Sequence, residues 1–192
     1  MQTSQLTAIP GKGATVWLTG LPAAGKTTIA LAVQEAIHRS GRLAGVIDGD
    51  ELRKGLCSDL GFTPEDRTEN VRRAAAMAAY LSKQGIVTLV ALISPMRHQR
   101  SSARALHDTN GVPFVEIWVS TPIEICRQRD PKGLYDRYRQ GNLHGLTGID
   151  DPYEPPESPD LIIPTDKIPL EESVDSIITL LAKLNIIKLG II

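Results

Sequence analysis

Cysteine is almost missing from this chain. Cys57 and Cys126 are the whole supply, far apart and in no CxxC pair. That excludes a disulfide framework and a cysteine-based zinc site, and leaves both thiols as expected inert groups. An excess of either charge is missing too: 21 Lys and Arg face 22 Asp and Glu, so no global field draws the chain to nucleic acid or an anionic membrane. Any basic function must be local. The longest apolar stretch, Gly85 to Ile93, falls far short of the roughly 20 residues that span a bilayer. The start, Met1 to Pro10, has neither a basic region nor an apolar core of the kind a secretory signal needs. No internal repeat and no low-complexity tract interrupts the sequence. The expectation is one cytoplasmic domain spanning residues 1–192, with 42% apolar and 22% charged residues giving ordinary globular composition.

What the chain does have is rhythm. Five apolar runs of strand length, Ala14 to Thr19, Leu43 to Asp48, Ile86 to Ile93, Phe114 to Val119 and Leu161 to Pro164, alternate with longer segments of helical character. This predicts an α/β fold: a mainly parallel five-stranded sheet with crossover helices on both faces. The last run is the weakest, because Pro164 has no N–H for a ladder. Lys26 to Ser40 reads as a helix closed by Gly41. Thr63-Pro64 supplies an N-cap and first-turn proline for a long helix carrying Val71 to Ser82, Thr121 to Glu124 reads as a capping box, and a last helix covers about Leu170 to Leu184. Asp130 to Pro159 breaks the rhythm, being rich in Gly, Pro, Asp and Tyr. A loop of that length in a compact domain points to a function such as a lid.

The chemistry concentrates after the first run. Gly20-Leu21-Pro22-Ala23-Ala24-Gly25-Lys26-Thr27 fits GxxxxGK[ST] between a strand and a helix, the context the motif requires. Its glycines let backbone N–H groups turn inward, and the helix N-terminus adds partial positive charge, so a polyphosphate is gripped by donors, with Thr28 continuing the first turn. Lys26 is expected to reach the β- and γ-phosphates of ATP and Thr27 to place its hydroxyl on Mg²⁺. The second run ends in Asp48-Gly49-Asp50-Glu51, at the sheet edge where open parallel sheets bind ligands. Two carboxylates there can orient an acceptor hydroxyl, take its proton or hold Mg²⁺, although Asp-Gly-Asp alone is more often a turn or a helix cap. Arg53, Arg67, Asn70, Arg72, Arg73, Arg97 and Arg100 follow, a density of fork-like donors that suits an anionic acceptor.

With these residues assembled, the sequence resembles the adenylylsulfate (APS) kinases over about Gly13 to Leu181. The carrying segments are the phosphate loop, Asp48 to Leu56, Asp59 to Phe62, Asp66 to Arg73, Ile93-Ser94-Pro95, Arg129 to Tyr135 and Thr147 to Glu154. The resemblance implies a P-loop doubly wound fold, a homodimer, and a lid at about 130–159. It implies phosphorylation of the 3′-hydroxyl of adenylyl sulfate by ATP, in an enzyme that acts with or is fused to ATP sulfurylase. Carried over by position, Asp50 and Asp48 serve the acceptor hydroxyl, with Thr27 and Asp50 toward Mg²⁺. Asp50, Arg53, Arg67, Asn70, Ile93, Ser94, Lys132, Leu146 and Thr147 hold adenylyl sulfate, Phe62 stacks on its adenine, and Arg129 lies by the ATP base. Ser94 is also a catalytic candidate, since a serine in this segment has been proposed as a phosphorylated intermediate; direct in-line transfer needs none, which favours a positioning or structural role for it. Three departures stand out. Leu146 replaces an aromatic that would complete a sandwich on the acceptor's adenine, so Leu146→Phe is expected to tighten acceptor binding. The phosphate loop lacks the usual serines, and Glu51 and Met96 replace Asn and Tyr. The loop and fold alone also admit a kinase for another small metabolite, such as a sugar acid or nucleoside, and a nucleotide-binding regulator.

Overall fold

A computed structural model describes residues 11–188. The reading of Met1 to Pro10 lies outside the described residues. Five parallel strands form one sheet in the order β2-β3-β1-β4-β5: β1 Ala14–Thr19, β2 Ala44–Asp48, β3 Val87–Ala91, β4 Phe114–Val119 and β5 Leu161–Ile163. The helices are α1 Lys26–Arg39, α2 Gly49–Lys54, α3 Pro64–Lys83, α4 Arg97–Thr109, α5 Ile123–Arg129, α6 Leu134–Arg139 and α7 Leu170–Lys183. All six residues of β1 are buried, as a central strand covered on both faces requires.

The alternation of β1 sorts its side chains between two cores. Val16 and Leu18 join Ile29, Val33, Ile37, Ile177 and Leu181 of α1 and α7, while Trp17 faces the other way, toward Val71, Ala74 and Ala78 of α3 and Ala103 of α4. The small residues on α3 leave room for the indole, which packs against Phe114 in a tilted arrangement with 5.6 Å between ring centres. β1 pairs with β3 on one side and β4 on the other, so its carboxyl end, where Gly20 begins, lies between two neighbouring strand ends.

Two readings need correcting. Thr121 does not cap α5: Pro122 is the N-cap residue, no side chain caps the helix, and the Thr121 hydroxyl instead donates to Ala24 O at 2.9 Å. The helices α2, α4 and α6 emerge from stretches to which the sequence assigned no helix; α2 and α6 have only six residues each, too short for a periodic signal. After α7, Ile186 and Ile187 are buried in the first core and add to its packing.

Candidate active site

The phosphate loop is shaped by two positions that reject a side chain. A Cβ on Gly20 would meet Val119 O at 2.5 Å, and Gly25 sits at φ 104°, in the left-handed region. Gly25 is also the N-cap of α1 and has no side chain to cap it, so the first-turn amides of Lys26, Thr27 and Thr28 remain available to an anion. The Ala24 carbonyl is turned away from them, accepting hydrogen bonds from Thr121 Oγ1 at 2.9 Å and Thr165 Oγ1 at 3.1 Å. Arg129 braces the same point, donating to Thr165 Oγ1 and Thr165 O, each at 2.7 Å.

Lys26 folds over the loop and donates to Gly20 O at 2.9 Å and Leu21 O at 2.7 Å. Burial pushes its ammonium down to about 8, with Lys132 pushing the same way and the carboxylates of Asp48 and Asp50 opposing. Such a site favours an incoming anion, which would stabilise the ammonium and raise its pKa again. The Thr27 hydroxyl donates to Asp48 Oδ2 at 2.6 Å, and the other oxygen of Asp48 accepts from Asp50 N at 2.8 Å, capping α2. The Asp-Gly-Asp sequence is thus a helix cap whose remaining oxygen sits at the head of α1. Asp50 is left half in solvent and pairs with Lys132 Nζ, which reaches across from the 130–159 segment.

The opposite wall carries the acceptor candidates. Phe62 is 68% exposed, and its ring lies under the Arg53 guanidinium at 4.4 Å, with Arg67 at 5.9 Å. Arg53 donates to Leu60 O and Gly61 O, which fixes its fork beside the ring. Arg67 uses its donors to latch the 130–159 segment: Thr147 Oγ1 at 2.9 Å, Gly145 O at 2.6 Å and Asp151 Oδ2 at 2.9 Å. Asn70 is only 5% exposed, and its Nδ2 has no partner among the described residues. A buried amide donor without an acceptor is costly, and this one lines the cavity.

One cavity of about 1500 Å³ joins the two walls. Lys26, Thr27, Asp48, Asp50, Arg53, Phe62, Arg67, Asn70, Ile93, Ser94, Arg129, Lys132, Leu146 and Thr147 all contribute to its lining, so residues spread over most of the sequence meet at the carboxyl edge of the sheet. Leu146 nevertheless differs from its expected role. It is 5% exposed and packs in the first core, rather than lying open as one side of a sandwich. The arginine density also divides: Arg53 and Arg67 line the cavity, but Arg72 and Arg73 pair with Glu69, Arg73 also with Asp59, Arg97 with Glu157, and Arg100 is buried against Glu116. Thr121, Thr165 and Tyr135, whose hydroxyl donates to Pro22 O at 3.1 Å, brace the loop, a role the sequence assigned to none of them: Thr121 reads as a helix cap, Tyr135 only as part of a carrying segment, and Thr165 is unmarked. Thr121 and Thr165 stand just beyond β4 and β5, at the sheet edge that carries the loop.

The family model described as adenylylsulphate kinase matches residues 12–164. The adenylyl-sulfate kinase of Paraburkholderia xenovorans is 48% identical over 87% of this chain and 92% of its own length, and that of Clostridium acetobutylicum 46% identical over 92% and 86%. Among solved structures, the Mycobacterium tuberculosis APS kinase CysC in complex with AMPPNP and APS superposes with a TM-score of 0.87 at 43% identity, covering 90% of this chain and 99% of that one. With its phosphate loop, paired carboxylates and arginine-flanked Phe62 around one cavity, the chain belongs to the adenylylsulphate kinase family.

Proposed function

We propose that the chain transfers the γ-phosphoryl group of ATP to the 3′-hydroxyl of adenosine 5′-phosphosulfate, giving 3′-phosphoadenylyl sulfate and ADP. The observation that carries this is the shared cavity. Its volume of about 1500 Å³ exceeds the roughly 300–1,000 Å³ typical of a site for one drug-sized ligand, and it opens on both the phosphate loop and the arginine-flanked Phe62.

The loop amides and Lys26 hold the β- and γ-phosphates, and Arg129 lies at the edge where the ATP base would dock. Phe62 offers its exposed face to the acceptor's adenine, while Asn70 supplies the donor that has no partner among the described residues. Asp50, held by Lys132, aims the 3′-hydroxyl and takes its proton as the new O–P bond forms and the bond to ADP breaks. The latch from Arg67 to Thr147, Gly145 and Asp151 closes the 130–159 segment as a lid and keeps water from the γ-phosphate. Mg²⁺ fits the hard oxygen pair of Thr27 and Asp48. Among the described residues no three His, Cys, Asp or Glu side chains cluster into a metal cage, so phosphates and water would complete its shell. When bound, the ion neutralises phosphate charge.

The same reading takes the enzyme as cytoplasmic and homodimeric, working beside ATP sulfurylase, with residues 1–192 as one kinase domain. No described helix is long and apolar enough to cross a membrane. The test is ADP release and product identification with ATP and a panel of acceptors. Adenylyl sulfate should be the one efficient acceptor, and Lys26→Ala and Asp50→Asn should abolish turnover in folded protein. Efficient turnover of a sugar acid or nucleoside instead, or near-normal rates in either variant, would reject the assignment.

A further inference from the structure

Beyond β3 the chain runs Ile93-Ser94-Pro95 along the cavity, and each of its carbonyls is held. Thr19 Oγ1 donates to Ile93 O at 2.7 Å, Arg100 Nη1 to Ser94 O at 2.6 Å, and the Glu154 amide to Pro95 O at 2.9 Å. The Trp17 indole N–H donates to Ser94 Oγ at 3.0 Å. Because Thr19 gives its proton to Ile93, the Tyr153 phenol must be the donor in its 3.1 Å bond to Thr19. Ser94 needs this grip. It is 2% exposed and sits at φ 40°, a left-handed conformation that a residue with a Cβ adopts only when its surroundings force it.

Two of the donors, Trp17 and Thr19, stand two residues apart on β1 and therefore on one face of it. The strand runs directly on into Gly20, so a single rigid element sets both the phosphate loop and the wall opposite. Arg100 completes the clamp from α4: it is 2% exposed, ion-paired with Glu116 at 2.8 Å, and donates to Glu154 O at 2.6 Å. An indole N–H can only donate, so Ser94 Oγ is the acceptor and keeps its own proton to give. Among the described residues no group takes that proton, and Ser94 lines the cavity.

Resting on the acceptor assignment above, we propose that Trp17, Thr19 and Arg100 are positioning residues for the transfer. They hold Ser94 so that its hydroxyl donates to an oxygen of the bound sulfonucleotide, which fixes the acceptor relative to the phosphate loop. The role belongs to the clamp, because the serine backbone does not adopt this shape unaided.

A double-variant cycle in the full chain tests this. Ser94→Ala and Trp17→Phe should each raise KM for adenylyl sulfate about tenfold and leave KM for ATP unchanged. Combined, they should be no worse than Ser94→Ala alone, because Trp17 acts through Ser94. Losses that multiply, or equal shifts in both KM values, would mark Trp17 as packing only and overturn the inference. A second measurement stands if Trp17→Phe does not fold: the chain has two tryptophans, and the Trp17 indole N–H resonance should move on Ser94→Ala and on adding adenylyl sulfate with AMPPNP. An indole signal indifferent to both would also overturn it. Multiplying losses in a chain that makes product sink the clamp alone, whereas a parent chain that makes no product sinks the acceptor assignment and the clamp with it.

Discussion

Nucleotide binding should take up a proton, and Lys26 should be its destination. In the open loop, burial pushes this ammonium down to about 8, while an adjacent triphosphate favours the charged form and returns it toward its ordinary range near 10.4. The sign follows from the two values: binding is tightest where Lys26 is already protonated and weakens as pH rises through the lower value. With a pKa of about 8, roughly a tenth of a proton is taken up per nucleotide at about pH 7, half at about pH 8 and nine-tenths at about pH 9. Affinity should therefore fall about tenfold between about pH 7 and pH 9. Titration calorimetry with preformed MgAMPPNP, repeated in buffers of different ionisation enthalpy, measures the uptake directly. Lys26→Arg keeps the charge but does not titrate in this range, so its uptake should vanish. No uptake in the parent chain, or the same uptake in Lys26→Arg, would refute the reasoning.

Other outcomes follow from individual side chains. Leu146→Phe is now expected to destabilise rather than to tighten acceptor binding, because overpacking a filled core costs about 1–3 kcal/mol, or a few degrees in thermal midpoint for a domain of this size; tighter adenylyl sulfate binding at an unchanged midpoint would refute this. Asn70→Leu should leave stability equal or higher, since it removes a buried donor without a partner, yet raise KM for adenylyl sulfate about tenfold; steady-state kinetics beside a melting curve separates the two effects. His107 is buried, with Nδ1 bonded to Ala103 O at 2.7 Å, so that nitrogen carries the proton of a neutral ring. Burial holds its pKa below the usual value of 6.5, so its contribution is present above that pH and lost as pH falls through the folded value. Urea melts from neutral to mildly acid pH should show a steeper loss for the parent chain than for His107→Asn.

The strands and the phosphate loop were legible because their signals are local. Two strand runs, Ala14 to Thr19 and Phe114 to Val119, match β1 and β4 residue for residue, and Thr63-Pro64 opens α3 as its cap chemistry requires. What the sequence hid depends on partners distant along the chain. Thr121 has the right neighbours for a capping box, but Ala24 O competes for its hydroxyl. Arg97 and Arg100 look like anion readers until Glu157 and Glu116 are brought beside them. Leu146 reads as a missing aromatic on a binding surface, whereas the fold turns it inward. Asn70, by contrast, is legible from its motif, and the structure adds a buried amide donor without a partner among the described residues.

The bracing of the Ala24 carbonyl carries a consequence for how this molecule should lose activity. Thr165, one of the braces, follows β5, an edge strand of three residues whose one strand partner among the described residues is β4. The grip on polyphosphate is thus moored to the least secured margin of the sheet, where short edge elements open ahead of the interior. Warming or mild denaturant would slacken the anchorage at Ala24 while both cores stay shut, so catalytic competence would fade before the protein as a whole lets go.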